Sequence, residues 1–272
     1  MLDPELGPVS RAEAAAAIEA EEDERGTRRA VAGFDFTFSI QKSASVLWAV
    51  ADAGTQALIA DAHRAAIAEV VAFMEREVAA TRTGATGRDG AVAQIDVRGL
   101  AATAFDHYDS RAGDPHLHTH VVISNKVQTV LDGKWRSLDG RPMHAAVVAL
   151  SELHEAVFAD HFTRSFGVSW EARDMGRDRN PAWAITGVPE ALIKEFSTRA
   201  RHIDTETDRL IERYVESHGR RPLPATIMKL RAQTTLYTRP EKEVRSLADL
   251  TDSWRERAGR VLGRMRPRGR AA

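Results

Sequence analysis

Alternating polar and apolar positions mark a series of strands along the chain. Between residues 33 and 39, three phenylalanines alternate with Asp35, Thr37 and Ser39, which is the period of a β-strand with one buried face. Apolar segments bounded by turn residues predict further strands. We expect them at 92–107, with a bend near Gly99, and at 116–128, 168–172 and 182–186.

Apolar residues at helical spacing predict helices between and after these strands. The predicted helices are 10–25, 42–52, 55–80 and 145–166, followed by 189–219, 225–236 and 246–262. Strands and helices interleaved in this way, with spacing typical of hairpins, indicate an α+β fold in which an antiparallel sheet is flanked by helices. The last third of the chain is predicted to form a helical C-terminal region.

The composition excludes several classes of protein and of site. The 272 residues include 38 basic and 39 acidic side chains, for a net charge of −1, so DNA binding would need a local basic cleft. Cysteine is absent, which removes disulfides and thiolate metal sites. We find no signal peptide and no apolar run of about 18 residues or more. We therefore expect a cytoplasmic protein without a membrane segment.

The most informative feature is a group of histidines with the spacing of strand neighbours. His116, His118 and His120 occupy alternate positions and would line one face of one strand. His107 precedes them, and the turn residues at 113–115 would fold its strand back toward the same face. Imidazoles that converge from two adjacent strands predict a divalent-metal site with an open coordination position. The alternative for any single histidine is a structural hydrogen bond.

Three other polar side chains have competing interpretations. Asp35 could orient a ligand histidine or accept a proton from a hydroxyl nucleophile, or it could simply face solvent. Lys42 follows Ser39 at the S-x-x-K spacing of some serine nucleophiles, but the companion motifs are missing, which favours a solvated or phosphate-facing lysine. His63 lies within a predicted helix, where we expect a structural role.

Two sequence blocks resemble the relaxase domain of TrwC/TraI-type (MobF) conjugative relaxases, which belong to the HUH endonuclease superfamily. The first is GFDFTFSIQKSAS at 33–45, and the second, longer and more specific, is FDHYDSRAGDPHLHTHVVISNKV at 105–127. The stretch DGKWRSLDGRP at 132–142 is also similar, so the resemblance runs from about residue 30 to about residue 200. A weaker similarity continues at 238–258.

The resemblance implies an HUH-type fold and roles for individual residues. His107, His118 and His120 would be the three metal ligands, and Asp35 would orient one of them or act as the base. The candidates for ligand support or for the DNA path are His116, Lys42 and Arg111. In the family reaction, a tyrosine hydroxyl attacks one phosphodiester at a transfer origin, and the metal stabilises the added negative charge.

The resemblance also implies a cofactor and partners. The cofactor would be a divalent cation, and the sequence does not distinguish Mg, Mn and Zn. Imidazole ligands favour zinc, copper or nickel, whereas phosphate and water oxygens suit magnesium and manganese. The partners would be single-stranded DNA at a transfer origin and, as further candidates, other relaxosome proteins.

The tyrosines depart from the family pattern. In relatives the catalytic tyrosines precede the first block, whereas the tyrosines here are Tyr108, Tyr214 and Tyr237. Tyr108 should point away from the metal, because neighbours in a strand face opposite sides. We assign no nucleophile and expect a domain truncated at both ends. Its expected divisions are an N-terminal extension at 1–32, a relaxase domain lacking its tyrosine segment at 33–240, and a C-terminal helix with an arginine-rich tail at 241–272.

Three functions remain open on these grounds. The first is a protein that binds metal and single-stranded transfer-origin DNA but does not cleave it alone. The second is a metal-dependent nuclease that uses water in place of tyrosine. The third is a non-catalytic regulatory remnant that competes for the transfer origin or for a partner.

Overall fold

The computed structural model describes residues 31–84, 92–176, 180–241 and 243–265. The helix predicted at 10–25 and most of the arginine-rich tail lie outside these residues. The strands in the described part are β1 (Gly33–Ser39), β2 (Ala80–Gly84), β3 (Val92–Arg98), β4 (Ala102–Asp109), β5 (Pro115–Ser124), β6 (Val127–Thr129), β7 (Trp135–Arg136), β8 (Trp170–Arg173) and β9 (Ala182–Ile185).

Helices follow and separate these strands. They are α1 (Lys42–Val50), α2 (Ala53–Phe73), α3 (Gly140–Ala145), α4 (Val147–Phe166), α5 (Glu190–Glu195), α6 (Thr198–His218), α7 (Pro224–Tyr237) and α8 (Leu247–Met265). Asp52 begins α2 as an N-cap, since its carboxylate accepts from the backbone N–H groups of Gly54 and Thr55, which would otherwise lack intrahelical partners.

Antiparallel pairing joins the described strands into three sheets. The central sheet has the order β1-β5-β4, a second has the order β2-β3-β6-β7, and β8 pairs with β9. Helices pack on these sheets, which confirms the predicted α+β class. The functional candidates of the sequence fall on the central sheet, where β5 lies between β1 and β4.

The central sheet has one closed face and one open face. Phe38 on β1 and Leu117, Val121 and Ile123 on β5 are at most 5% exposed, and they pack against apolar side chains of the helices behind the sheet. Asp35, on the other side of β1, is exposed. The alternation in the sequence therefore predicted correctly which face of the sheet packs against the helices, where Phe38 is buried and Phe34 and Phe36 are half-buried.

Several element boundaries differ from the prediction. The α-helix predicted at 55–80 ends at Phe73. A π-helical turn follows over Met74–Val78, and β2 begins at Ala80. The strand predicted at 92–107 is two strands, β3 and β4, which belong to different sheets. Gly99 separates them with a φ of +72°, a conformation that side chains with a Cβ disfavour.

Two other long elements are also divided. The strand predicted at 116–128 is β5 followed by β6, and β6 pairs with the second sheet. The helix predicted at 189–219 is α5 followed by α6. Between them, the side-chain hydroxyl of Ser197 donates to the carbonyl of Ile193 at 2.7 Å, which satisfies a carbonyl at the end of α5.

The C-terminal helix α8 packs into the core and holds the turn between β4 and β5. Trp254 is fully buried, and its indole N–H donates to the carbonyl of Gly113 at 2.8 Å. Arg257 forms an ion pair with Asp114 at 2.9 Å. The backbone N–H of Thr198, at the start of α6, donates to the other oxygen of Asp114 at 2.7 Å. Helices from the last third of the chain therefore position this turn.

Candidate metal centre

The pairing of β4 with β5 brings His107 beside the histidines of β5. His107 lies directly opposite His118, and His120 lies two positions further along the same strand and on the same face. The turn that makes this pairing contains Gly113 with a φ of +70°, and the backbone N–H of Ser110 donates to the carbonyl of Asp114 at 2.8 Å. The predicted hairpin is therefore present.

Three imidazole rings converge at this point. His107, His118 and His120 each offer a ligand atom within 4.8 Å of the other two. Their ring centroids are 5.2 Å apart for His107 and His118, 4.9 Å for His107 and His120, and 5.4 Å for His118 and His120. Nitrogen atoms at this spacing can share one cation with modest side-chain adjustment.

Hydrogen bonds orient the rings of His118 and His120. The Nδ1 atom of His120 lies 2.9 Å from each carboxylate oxygen of Asp35, and Nδ1 of His118 donates to the carbonyl of His116 at 2.7 Å. A ring that donates from Nδ1 carries its lone pair on Nε2, the atom that can bind metal. Burial lowers the pKa of His118 below its usual value, which favours the neutral form that a metal requires.

Asp35 therefore occupies the position of an orienting carboxylate. Thr37 adds a second polar contact, with Oγ1 at 3.2 Å from Nδ1 of His120. The pairing of Thr37 with His120 places β1 alongside the ligand strand. Of the two roles expected for Asp35, the geometry favours orientation of a ligand, and its role as a base stays a prediction.

His116 and Lys42 lie beside the cluster without joining it. Nε2 of His116 is 3.4 Å from the hydroxyl of Ser39, and burial lowers the pKa of His116 to about 3. Nζ of Lys42 donates to the carbonyl of Pro115 at 2.7 Å, and burial lowers the pKa of this lysine to about 8. The contact favours a supporting role for Lys42, because it holds the start of the ligand strand.

The three histidines line a cleft of about 540 Å³ whose other wall carries arginines. Arg111 comes from the turn after β4, and Arg199 and Arg239 come from α6 and from the segment after α7. Burial, followed by the charges of Arg239 and Arg111, lowers the pKa of Arg199 below its usual value. Neither Arg199 nor Arg239 was predicted as a site residue, because only the packing of distant helices brings them to the cleft.

The tyrosines are placed elsewhere. Tyr108 stacks on Trp48 of α1, with ring centroids 5.7 Å apart, so it faces the core as predicted. Tyr214 stacks on His218 of the same helix at 3.9 Å, and Tyr237 is 55% exposed at the end of α7. None of the three is among the described residues that line the cleft.

An antiparallel sheet that presents three histidines to an arginine-lined cleft agrees with the HUH-type fold that the sequence blocks implied. The chain belongs to the TrwC relaxase family, whose model matches residues 5–261. This match confirms the resemblance to MobF relaxases. It also extends beyond the two sequence blocks and includes most of α8.

Individual relatives agree with this assignment. The multifunctional conjugation protein TraI of Escherichia coli is 28% identical over 187 residues, which are 65% of this chain and 10% of TraI. A metal-free structure of the conjugative relaxase TrwC in complex with oriT DNA has a TM-score of 0.67 at 26% identity, covering 87% of this chain and 77% of that one. A metal-bound TrwC complex with oriT DNA has a TM-score of 0.66 at 25% identity, covering 86% and 75%.

The chain thus spans about 10% of the length of the curated relative that it matches. Within the described residues, no helix combines the length and apolar character needed to cross a membrane.

Proposed function

We propose that the chain is a relaxase domain of conjugative DNA transfer, which binds a divalent cation through His107, His118 and His120 and single-stranded DNA along the adjacent cleft. One observation carries the proposal: the three rings, with ligand atoms within 4.8 Å of one another, lie on the open face of the sheet in an arginine-lined cleft. Family membership supports DNA as the ligand, since related structures hold oriT DNA.

The donor set fits a divalent cation. Neutral imidazoles are typical ligands of zinc, copper and nickel, and three of them leave a position for a phosphate or water oxygen. Magnesium and manganese would take more of their ligands from the DNA and from water. A cation bound here would polarise a phosphodiester and stabilise the negative charge that develops during displacement.

The chain's own residues divide the remaining tasks. Asp35 holds the ring of His120 with its metal-binding nitrogen exposed. Arg199 uses its guanidinium to bind the carbonyls of Thr235 and Thr238, so it fixes the end of α7 beside the cleft. Arg111 uses one donor for the carbonyl of Pro240 at 3.2 Å and retains others for a phosphate oxygen. DNA binding should therefore weaken as salt concentration rises.

Strand cleavage requires a nucleophile, and none of the three tyrosines is assigned to this role. A second candidate function follows from the three-ligand site: the coordination position left open could hold a water molecule as the nucleophile. The two chemistries leave different products. A tyrosine would leave protein covalently attached to a 5′ phosphate, whereas water would leave a free end.

Metal binding can be tested by titration. Metal-free protein is titrated with Zn²⁺, Mn²⁺ and Mg²⁺ by calorimetry, alongside His118→Ala and a control, His161→Ala, whose ring contacts Glu69 and is not part of the histidine cluster. We expect at least one metal to bind the wild type and the control alike, and His118→Ala to lose affinity by about tenfold or more. Wild-type protein that binds none of the three cations would refute the proposed site.

DNA binding and cleavage use separate assays. Fluorescence anisotropy should show tighter binding to single-stranded oligonucleotides than to duplex, with Arg111→Ala weaker at low salt. Equal affinity for duplex and single-stranded oligonucleotides would contradict the proposal. For cleavage, supercoiled plasmid carrying a candidate transfer origin is incubated with the protein and Mn²⁺. The products then distinguish covalent protein–DNA adducts, free nicked ends and uncut DNA.

A further inference from the structure

A chain of hydrogen bonds crosses the closed face of the central sheet directly behind the metal centre. The side chain of Thr119, which lies between His118 and His120, points away from the ligands and is 1% exposed. Its hydroxyl donates to Oδ1 of Asp106 at 2.6 Å and is 3.1 Å from Nε2 of His63 on α2. The other ring nitrogen of His63 is 3.1 Å from Nε2 of His154 on α4.

The donor and the acceptor of each of these hydrogen bonds follow from the number of hydrogen atoms that each group carries. A hydroxyl has one hydrogen, and Thr119 gives it to Asp106, so Thr119 must accept from the Nε2–H group of His63. Nδ1 of His63 then carries a lone pair and accepts from the Nε2–H group of His154. Both imidazoles are neutral in this arrangement, and all the bonds point toward the carboxylate of Asp106.

The surroundings of the two rings agree with neutral imidazoles. His63 is 1% exposed and His154 is 2% exposed. Burial, followed by the charges of His154, His118 and Arg64, lowers the pKa of His63 to about 3. Burial lowers the pKa of His154 to about 4. Asp106 lies at the sheet edge, with its side chain 33% exposed and 3.7 Å from Arg64.

The bond between Thr119 and Asp106 joins two directly paired residues. The next pair along the strands is His118 with His107, so the bond lies one step from the ligands and on the opposite face. On the other side of that pair, the register shifts between His107 and Asp109. Backbone pairing is therefore irregular on the turn side of His107, and β4 has no strand beyond it in the described sheet.

Register matters here because side chains alternate between the two faces. A slip of β4 by one residue would turn His107 to the closed face and remove it from the cluster. The hydroxyl of Thr119 and the rings behind it tie β4, β5, α2 and α4 together at the correct step. These hydrogen bonds act at the place where a small displacement of β4 would separate the ligand atoms.

We propose that the chain from His154 through His63 and Thr119 to Asp106 is a positioning device, which fixes β4 against β5 so that His107 meets His118 and His120. The inference rests on the proposed function, because it assigns these residues to the geometry of the same metal centre. The side chains of Thr119 and Asp106 lie on the face of the sheet opposite the three ligands.

The test uses the full chain, with Co²⁺ as the metal probe and its visible absorption as a reporter of ligand geometry. Thr119→Val removes the hydroxyl at nearly constant volume, and Thr119→Ser restores it. The matched control is Thr81→Val on β2, because Thr81 is 2% exposed and its hydroxyl donates to the carbonyl of Ser137 at 2.6 Å. Thermal unfolding is recorded for every variant.

We expect Thr119→Val to bind Co²⁺ about tenfold more weakly, with an altered absorption spectrum, as for other residues that support metal ligands. Thr119→Ser should recover most of the affinity and the wild-type spectrum. Thr81→Val should lower the melting temperature and leave Co²⁺ binding unchanged. If Thr119→Val does not fold, Asp106→Ala provides a second test, because Asp106 is the solvent-accessible end of the hydrogen-bond chain. This variant should also weaken Co²⁺ binding.

Two failures can be told apart. Wild-type protein without Co²⁺ binding would overturn the proposed metal function itself. Wild-type protein that binds Co²⁺, together with unaltered binding and spectrum in the folded Thr119→Val or Asp106→Ala variant, would overturn the positioning device alone. Equal weakening by Thr81→Val would also overturn it, since the effect would then reflect general loss of stability.

Discussion

Acidification from pH 7 to pH 5 should lower the free energy of unfolding through His63 and His154. Burial lowers their pKa from 6.5 to about 3 for His63 and to about 4 for His154. Below pH 6.5, the unfolded chain therefore binds protons that the folded chain excludes. Stability must fall as the pH falls. The loss begins near pH 6.5 and levels off only below the folded-state pKa values.

The magnitude follows from the distance between the pH and the unfolded-state pKa. At about 1.5 pH units below 6.5, each histidine that stays neutral in the fold costs about 2 kcal/mol. The pair together costs about 4 kcal/mol, which is a large part of the roughly 5–15 kcal/mol that stabilises a typical domain. This result requires only that both folded-state pKa values lie below 5.

Urea denaturation at pH 7, 6 and 5 in the presence of a chelator measures the effect. His154→Gln retains an N–H donor toward His63 and removes one titrating group, so about 2 kcal/mol of the pH dependence should disappear. His161→Gln, on the same helix but 31% exposed beside Glu69, should keep most of it. An unchanged pH dependence in His154→Gln would refute the assignment of a buried neutral ring.

Four further substitutions test other parts of the structure. Asp35→Asn should weaken Zn²⁺ binding about tenfold, because the amide is a poorer acceptor for the N–H group of the ligand ring. Calorimetry measures the affinity, and a wild-type value would contradict the orienting role of Asp35. Arg257→Ala should lower the free energy of unfolding by about 3 kcal/mol. The carboxylate of Asp114, whose side chain is only 2% exposed, would lose the arginine with which it forms an ion pair. A change below about 1 kcal/mol in thermal unfolding would contradict this. Gly33→Ala should destabilise by about 1–3 kcal/mol, because the added Cβ would lie 2.5 Å from a carbonyl oxygen of the facing strand. Gly259→Ala, an exposed position within α8 with nothing within 4 Å of the new Cβ, should instead stabilise by about 0.5–1 kcal/mol, and chemical denaturation distinguishes the two signs.

The central sheet was predictable because its alternation is strong and local. The phenylalanines of β1 and the alternate histidines of β5 each fix a face within a few residues. The turn at 113–115 determines which strand returns beside them. For these reasons, both the convergence of His107 with His118 and His120 and the direction of Tyr108, away from these histidines, followed from spacing and from the family blocks.

Other features depend on contacts between distant parts of the chain, which spacing does not encode. Gly99 looked like a bend within one strand, yet its positive φ directs the chain from one sheet to another. The arginines of the cleft wall reach it only through the packing of α6 and α7. The structural role predicted for His63 is confirmed by its hydrogen bonds, but its link to Thr119 depended on where α2 lies relative to the sheet.

The hold of α8 on the β4–β5 turn has a consequence for protein synthesis. Trp254 and Gly113, joined by a hydrogen bond, are 141 residues apart in the chain. At translation rates of about 5–20 residues per second, the ribosome needs roughly 7–28 s after making the turn to make the tryptophan that secures it. The histidine hairpin can pair during this interval, but its turn stays unanchored until α8 emerges. A nascent chain stalled before α8 should therefore be more sensitive to proteolysis at this turn than the finished protein.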